Sequence, residues 1–131
     1  MASSRGPATP ASLRTAPIIL APGEDYVGYY SAPGIVGDGA FQMTGMELST
    51  IVRHKFNPIV IILDNQGYGT ERILHPGDWK YNDIHPWRYS QLPAVLGGGR
   101  GYEIHTEADF DAALRSAWED TSQMSILQVH L

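Results

Sequence analysis

The stretch that decides the fold is Ile59-Val60-Ile61-Ile62-Leu63, which runs directly into Asp64-Asn65-Gln66-Gly67. An unbroken apolar run rich in β-branched residues is typical of a strand buried on both faces of a parallel sheet. The polar and turn-forming residues that follow predict a loop at its carboxyl end. Open α/β sheets bind their ligands at that edge, so this loop is the first place to expect a site.

A second loop of the same kind lies earlier in the chain, where Gly37-Asp38-Gly39 follows the short apolar stretch Ile35-Val36. Asp38 and Asn65 are separated by about one strand–helix–strand unit of roughly 30 residues. If both apolar runs are parallel strands, the two loops meet at one edge of the sheet. The Asp38 carboxylate, the Asn65 amide oxygen and the Gly67 carbonyl could then share Mg²⁺, which prefers oxygen ligands at about 2.1 Å.

Strand and helix patterns alternate along the rest of the chain. Apolar residues at spacings of three and four predict a helix from Gly39 to about His54. Tyr102 to His105 is predicted to be a strand, Thr106 to cap a second helix, and Ser125 to Leu131 to form a last strand. This alternation predicts an α/β fold.

Two intervening segments are predicted to be less regular. Glycines and prolines mark residues 67–78 as a long loop, and long loops without internal structure are usually functional. Pro86 is predicted to start a helix at Trp87, which Pro93 would break before Leu96.

Residues 1–32 are predicted to be a flexible or rearranged leader, and residues 33–131 the folded domain. Residues 1–16 are rich in Ala, Ser, Pro, Thr and Arg and have no periodicity, which indicates a flexible arm. Pro17 to Leu20 could form a short strand before the turn at Pro22-Gly23.

Composition limits the classes of function. With 131 residues and 43% hydrophobic residues, the chain can form one modest core. Its net charge of −5 makes nucleic acid a poor candidate partner, and no apolar stretch approaches the roughly 20 residues that cross a bilayer. The sequence has no cysteine, which excludes disulfides and fits a cytoplasmic protein, so a cytoplasmic location is expected.

The two loops together resemble the thiamine-diphosphate signature, in which Gly-Asp-Gly is followed after a spacer by Asn-Asn. Where the signature ends in Asn-Asn, this chain has Asp64-Asn65. It therefore keeps the second residue of the pair, which binds the metal. Later motifs, in the same order, are similar to the 2-oxo acid decarboxylase branch, the pyruvate and indolepyruvate decarboxylases. These motifs are Gly67-Tyr68-Gly69-Thr70-Glu71-Arg72, Tyr81-Asn82-Asp83-Ile84, Trp87 and Leu92-Pro93.

The resemblance implies a three-layer thiamine-diphosphate-binding fold with a mainly parallel sheet, incomplete on its N-terminal side. It implies thiamine diphosphate and Mg²⁺ as cofactors, with Asp38, Asn65 and Gly67 as the metal ligands. The amides of Gly39 and Ala40, at the start of a helix, are expected to face the diphosphate. The full set of expected cofactor-binding residues is Gly37, Asp38, Gly39, Ala40, Asn65, Gly67, Tyr68 and Thr70.

The expected catalytic residue is Glu71, which aligns with the family's active-site glutamate and would handle protons during loss of CO₂ and release of product. A carboxyl group in that role needs a pKa raised by burial or by a like charge. The alternative is a solvated Glu71–Arg72 pair on a loop. Thr70 stands where the family usually carries a β-branched apolar residue against the substrate.

The function implied is the non-oxidative decarboxylation of a 2-oxo acid to an aldehyde and CO₂. Enzymes of this family bind the cofactor between two domains, one that holds the diphosphate and metal and one that binds the pyrimidine. This chain resembles only the diphosphate-binding domain. Activity is therefore expected only with a complementary pyrimidine-binding domain or subunit, in a homo- or hetero-oligomer. The alternatives are a non-catalytic binding or assembly module that keeps the fold, and part of a carboligase similar to acetolactate synthase.

Each motif also has an ordinary interpretation. Gly37-Asp38-Gly39 alone is a common turn, and Asn65-Gln66-Gly67 alone is a common strand end. Asp64 either points away from the cation or alters its affinity. The five histidines lack the spacing of a helical zinc motif, so surface or core roles are expected for them; they are His54, His75, His85, His105 and His130.

Overall fold

The computed structural model of the protein describes residues 33–131. Its strands are β1 (Pro33–Gly37), β2 (Ile59–Asp64), β3 (Arg100–Ile104) and β4 (Ser125–His130). Its α-helices are α1 (Asp38–Thr44), α2 (Leu48–Arg53), α3 (Gly69–Leu74), α4 (Leu92–Leu96) and α5 (Glu107–Glu119), with 3-10 turns at Gly45–Glu47, Lys80–Asn82 and Tyr89–Gln91. The predicted leader and its strand at Pro17 to Leu20 lie outside the described residues.

The four strands form one parallel sheet in the order β1-β2-β4-β3. Apolar side chains on one face pack against α1 and α2, and those on the other face pack against α5. This is the predicted α/β fold with its three layers. The central strand β2 has Ile59 and Ile62 fully buried on opposite faces, which explains its unbroken apolar run.

The register of the sheet positions the two loops. Gly37 at the end of β1 pairs with Leu63 near the end of β2, and Asp64 pairs with His130 at the end of β4. Because parallel strands end at the same edge, Asp38 emerges beside the loop that begins at Asn65. The predicted meeting of the two loops is therefore confirmed.

The predicted first helix is interrupted. It begins at Asp38 but divides into α1 and α2 around the 3-10 turn at Gly45–Glu47. The Phe41 ring lies directly over Gly45, where an added Cβ would come within 2.8 Å of a ring carbon. Glycine is a poor helix former, and here it also makes room for a core aromatic.

Two predictions about the segment after β2 are wrong. Residues 67–78 are not a structureless loop, because α3 occupies Gly69–Leu74. Trp87 does not start a helix; the chain makes a 3-10 turn at Tyr89–Gln91, and α4 follows with Pro93 in its first turn. Proline suits that position because its missing N–H would have no partner within the helix.

The end of the chain follows the predicted pattern closely. Strand β3 starts at Arg100 and ends at Ile104, slightly earlier than predicted. Thr106 caps α5 through a reciprocal pair of bonds: Asp109 N–H donates to Thr106 Oγ1 (3.1 Å), and Thr106 N–H donates to Asp109 Oδ2 (3.0 Å). Within residues 33–131, no helix has the length and apolar character needed to cross a membrane.

Candidate cation and diphosphate site

Asp38 is the first residue of α1, and its side chain is only 1% exposed. The Gly39 N–H donates to its Oδ1 at 2.8 Å. Its Oδ2 is buried and has no hydrogen-bond partner within the described chain. A buried carboxylate oxygen without a donor is costly, and a cation held by this carboxylate would offset that cost electrostatically.

The Asn65 amide reaches both other predicted ligands. One of its terminal atoms lies 3.0 Å from Asp38 Oδ1 and 2.9 Å from the Gly67 carbonyl oxygen. The amide is placed with its oxygen at that point, facing two other acceptors; a half-turn would instead make the nitrogen a donor to both. Without a cation, the orientation with the nitrogen at that point satisfies both acceptors, and the oxygen would face them only across a bound cation.

The spacing of these atoms fits an octahedral cation. We call Asp38 Oδ1, Asn65 Oδ1 and the Gly67 carbonyl oxygen the oxygen trio. At a metal–oxygen distance of about 2.1 Å, neighbouring ligands of octahedral Mg²⁺ are about 3.0 Å apart. The two separations measured from the terminal atom of Asn65 match that value as well as that of a hydrogen bond, so the three residues would fit Mg²⁺ with the amide oxygen turned toward it.

The loop that carries Gly67 is held by a network the sequence did not reveal. Gln66 has a positive φ of 58°, which turns the chain between the end of β2 and α3. The Arg72 guanidinium donates to the Gln66 carbonyl (3.1 Å) and to Asp83 Oδ1 (2.9 Å), and Tyr68 N–H donates to the Asn82 carbonyl (2.8 Å). These bonds fix the direction of the Gly67 carbonyl.

Glycine is required at two positions of the site. A Cβ at Gly67 would collide with the Arg72 guanidinium and the Asn82 carbonyl. A Cβ at Gly39 would lie 2.7 Å from the Tyr68 ring, which packs against the first turn of α1. Both glycines therefore allow the two loops to approach each other.

Asp64 does not point away into solvent. It is 4% exposed, and its Oδ2 accepts a hydrogen bond from Gln128 Nε2 at 2.7 Å and lies 3.5 Å from His130 Nδ1. Burial raises the pKa of Asp38, and the nearby Asp64 charge raises it further, while the Gly39 and Gln66 amides act in the opposite direction. The asparagine that the signature expects at position 64 would add no such charge.

The remaining predicted residues lie around the trio without direct bonds to it. Ala40 is exposed on the first turn of α1, and Thr70 and Glu71 are exposed on α3. In the part of the chain that the structure describes, no hydrogen bond or ion pair joins the Glu71 side chain to another residue. Its role in catalysis stays a prediction.

Sequence reasoning missed three residues that support the site: Arg72, Asn82 and Gln128. A glutamine inside an otherwise apolar strand was the available signal for Gln128, which is 3% exposed. Asn82 is 1% exposed and both atoms of its amide lack a partner within residues 33–131. Nothing in their local sequence pattern indicates what either residue contacts.

We expect Asp38→Asn to stabilise the metal-free chain by about 1–2 kcal/mol, because it removes a buried charge while keeping an acceptor for the Gly39 amide. The raised pKa of Asp38 means that the penalty is present at neutral pH and shrinks as the pH falls through the folded-state pKa. The gain should therefore diminish in acid. Urea unfolding in EDTA at several pH values measures it.

The exposed Asp78 provides the matched control, and Asp78→Asn should change the free energy of unfolding by no more than about 0.5 kcal/mol. Added Mg²⁺ should stabilise the wild type and not Asp38→Asn. A metal-free Asp38→Asn chain that is less stable than the wild type at neutral pH would contradict this electrostatic account.

Known proteins are similar to this chain in sequence and in fold. The family described as "Thiamine pyrophosphate enzyme, C-terminal TPP binding domain" matches residues 31–129. Pyruvate decarboxylase of Aspergillus fumigatus is 44% identical over 77 residues, which cover 56% of this chain and 14% of that protein. Alpha-keto-acid decarboxylase of Mycolicibacterium paratuberculosis is 33% identical over 99 residues, which cover 74% of this chain and 18% of that protein.

A solved structure supports the fold independently. Benzoylformate decarboxylase from Polynucleobacter necessarius superposes with a TM-score of 0.65 at 18% identity, covering 76% of this chain and 19% of that one. The chain thus spans less than a fifth of the length of each of these proteins. It belongs to the family of C-terminal thiamine-pyrophosphate-binding domains of thiamine pyrophosphate enzymes, and its sequence relatives are 2-oxo acid decarboxylases.

Proposed function

We propose that the chain binds Mg²⁺ and the diphosphate of thiamine diphosphate as part of a non-oxidative 2-oxo acid decarboxylase. The observation that supports this most strongly is the oxygen trio, whose members come from two loops at the carboxyl edge of a parallel sheet. The distances from the terminal atom of Asn65 to Asp38 Oδ1 (3.0 Å) and to the Gly67 carbonyl oxygen (2.9 Å) are those expected between neighbouring ligands of octahedral Mg²⁺. The Asn65 amide can meet Asp38 and Gly67 either through two hydrogen bonds from its nitrogen or, with its oxygen turned inward, through a shared cation.

Most of the predicted residues then fall into groups with different tasks. The oxygen trio holds the cation, and the small residues Gly37, Gly39 and Ala40 leave the backbone open to the diphosphate oxygens. Bound thiamine diphosphate supplies the electron sink for loss of CO₂. Tyr68 positions the first turn of α1 through its contact with Gly39.

We infer the substrate class from the names of the sequence relatives. They are named as decarboxylases of pyruvate and of alpha-keto acids, and we infer a 2-oxo acid for the assembly to which this chain belongs. The segments Tyr68 to Arg72 and Tyr81 to Ile84 match that branch and argue against a carboligase similar to acetolactate synthase. The product would be an aldehyde.

The exposed surface of α3 supports a need for a partner. None of its residues is buried, and Ile73 and Leu74 are 79% and 73% exposed. Large apolar side chains grouped on one short helix are typical of a surface that another protein covers. We infer a complementary pyrimidine-binding domain or subunit, which would also enclose Glu71, and a cytoplasmic oligomer as the working form.

We expect the purified chain to bind thiamine diphosphate in calorimetry only when Mg²⁺ is present. Asp38→Ala should weaken that binding by at least about tenfold, since it removes a charged ligand worth more than 1.4 kcal/mol. Asp78→Ala, which removes an exposed carboxylate elsewhere, should leave the affinity unchanged. Binding that ignores Mg²⁺, or that survives Asp38→Ala, would refute the assignment of the oxygen trio.

Catalysis is best tested in a complete assembly. We propose replacing the matching segment of the Mycolicibacterium paratuberculosis enzyme with residues 33–131 of this chain. The chimera should release an aldehyde from a 2-oxo acid, and Glu71→Gln should lower its kcat by about 10²-fold or more, because proton transfer by a positioned carboxyl contributes about that much.

Two controls make the result specific. Glu119→Gln, on the exposed end of α5, should leave kcat unchanged, and Glu71→Gln should still bind thiamine diphosphate with Mg²⁺. A chimera that folds and binds the cofactor but forms no aldehyde would favour the non-catalytic assembly module instead.

A further inference from the structure

A cluster of three ligand-type side chains lies at the carboxyl ends of β3 and β4 and shares no member with the oxygen trio. It consists of Glu103, His105 and His130, whose nearest ligand atoms all lie within 4.8 Å of one another. The register pairs Glu103 with Gln128 and Ile104 with Val129. Because alternate residues of a strand share a face, Glu103, His105 and His130 all point to the same side of the sheet.

One carboxylate oxygen lies between the two imidazoles. Glu103 Oε1 is 3.1 Å from His130 Nε2 and 3.7 Å from His105 Nε2. The two rings stack in parallel with their centroids 4.4 Å apart. Two histidines and a glutamate held this close form a ligand set that Zn²⁺ uses in proteins, with a fourth position left for water.

The buried carboxylate of Asp64 lies next to His130, one of these three side chains. Asp64 Oδ2 lies 3.5 Å from His130 Nδ1, on the opposite side of the ring from Glu103. Gln128 Nε2 anchors the same Asp64 oxygen at 2.7 Å. Histidines that bind metals commonly donate their second N–H to a carboxylate, which fixes the ring and the tautomer.

We propose that Glu103, His105 and His130 form a second cation site, specific for a divalent transition metal such as Zn²⁺. Imidazole nitrogens favour such ions, whereas the oxygen trio offers only the hard ligands that suit Mg²⁺. The two sites lie on the same edge of the sheet and select different metals. Asp64 is a positioning residue for this second site.

Coordination by all three residues requires one movement. Parallel stacked rings do not aim both lone pairs at one point, so the His105 ring must turn out of the stack. Its side chain is 61% exposed and free to do so, whereas His130 is only 29% exposed and is held between Asp64 and Glu103. His130 and Glu103 thus form the fixed part of the site, and His105 closes it.

Calorimetric titration of the full chain with Zn²⁺, in excess Mg²⁺ to supply the oxygen trio, tests the proposal. We expect one Zn²⁺ per chain. Removing a partner that merely orients a histidine costs about 10–100-fold in metal affinity, so His105→Ala and Glu103→Gln should each weaken binding at least as much. Both residues are exposed, and circular dichroism confirms that the variants fold.

Two matched variants define the location of the bound ion. His85→Ala, which removes an exposed histidine elsewhere, and Asp38→Ala, which disables the oxygen trio, should both leave the Zn²⁺ affinity unchanged. Unaltered affinity in His105→Ala, or a loss confined to Asp38→Ala, would overturn the proposal. Because the titration does not depend on thiamine diphosphate, its outcome is separate from that of the proposed function.

The role of Asp64 in positioning His130 can be tested by a separate measurement. Asp64→Asn keeps an acceptor for Gln128 but removes the charge beside His130 Nδ1. It should lower the Zn²⁺ affinity by about 10–100-fold and alter the visible spectrum of bound Co²⁺. An unchanged affinity and spectrum would refute that role.

Discussion

The pairing of β1 with β2 is the constraint on which the site depends. It matches Gly37 with Leu63 and so brings Asp38 beside the loop that starts at Asn65. A slip of one residue would move the buried face of β1 to the other side of the sheet. The alternation within β1 fixes that register, because Val36 packs against the core whereas Ile35 is 68% exposed. A hydrophobic pattern thereby sets the geometry of a polar site.

Electrostatics at this edge would favour a bound cation. Asp38 and Asp64 are both buried, and each has one carboxylate oxygen without a donor among residues 33–131. The Arg72 guanidinium, the positive charge on the adjoining helix α3, is engaged by Gln66 and Asp83. Folding therefore holds two acids together at a cost in stability, and a divalent ion that binds only the folded chain would offset that cost. Metal binding and stability should be coupled.

The features that could be predicted from the sequence are those encoded locally or by a recognisable signature. The apolar run of β2, the Thr106 cap and the two loops follow from neighbouring residues, and the oxygen trio follows once both strands are parallel. Helix α3 could not be predicted, because it buries no residue and shows no apolar stripe. The Arg72 bonds to Gln66 and Asp83 arise only when the chain folds back after α3.

The cluster of His105 and His130 shows the same limit. His105 directly follows β3, His130 ends β4, and 24 residues that include α5 lie between them in the sequence. Their proximity depends on the register of β3 with β4. The pairing of β2 with β4 sets Asp64 opposite His130, so the residue that departs from the signature lies beside the second candidate site and its charge also acts on Asp38.

The most direct test of the central claim is a crystal structure of the chain with thiamine diphosphate and Mn²⁺, with anomalous data collected at the manganese edge. We predict an anomalous peak bound directly to Asp38 Oδ1, Asn65 Oδ1 and the Gly67 carbonyl oxygen, with the diphosphate completing its coordination. A structure with the cofactor bound and no metal between these oxygens, or with the peak elsewhere, would contradict the account.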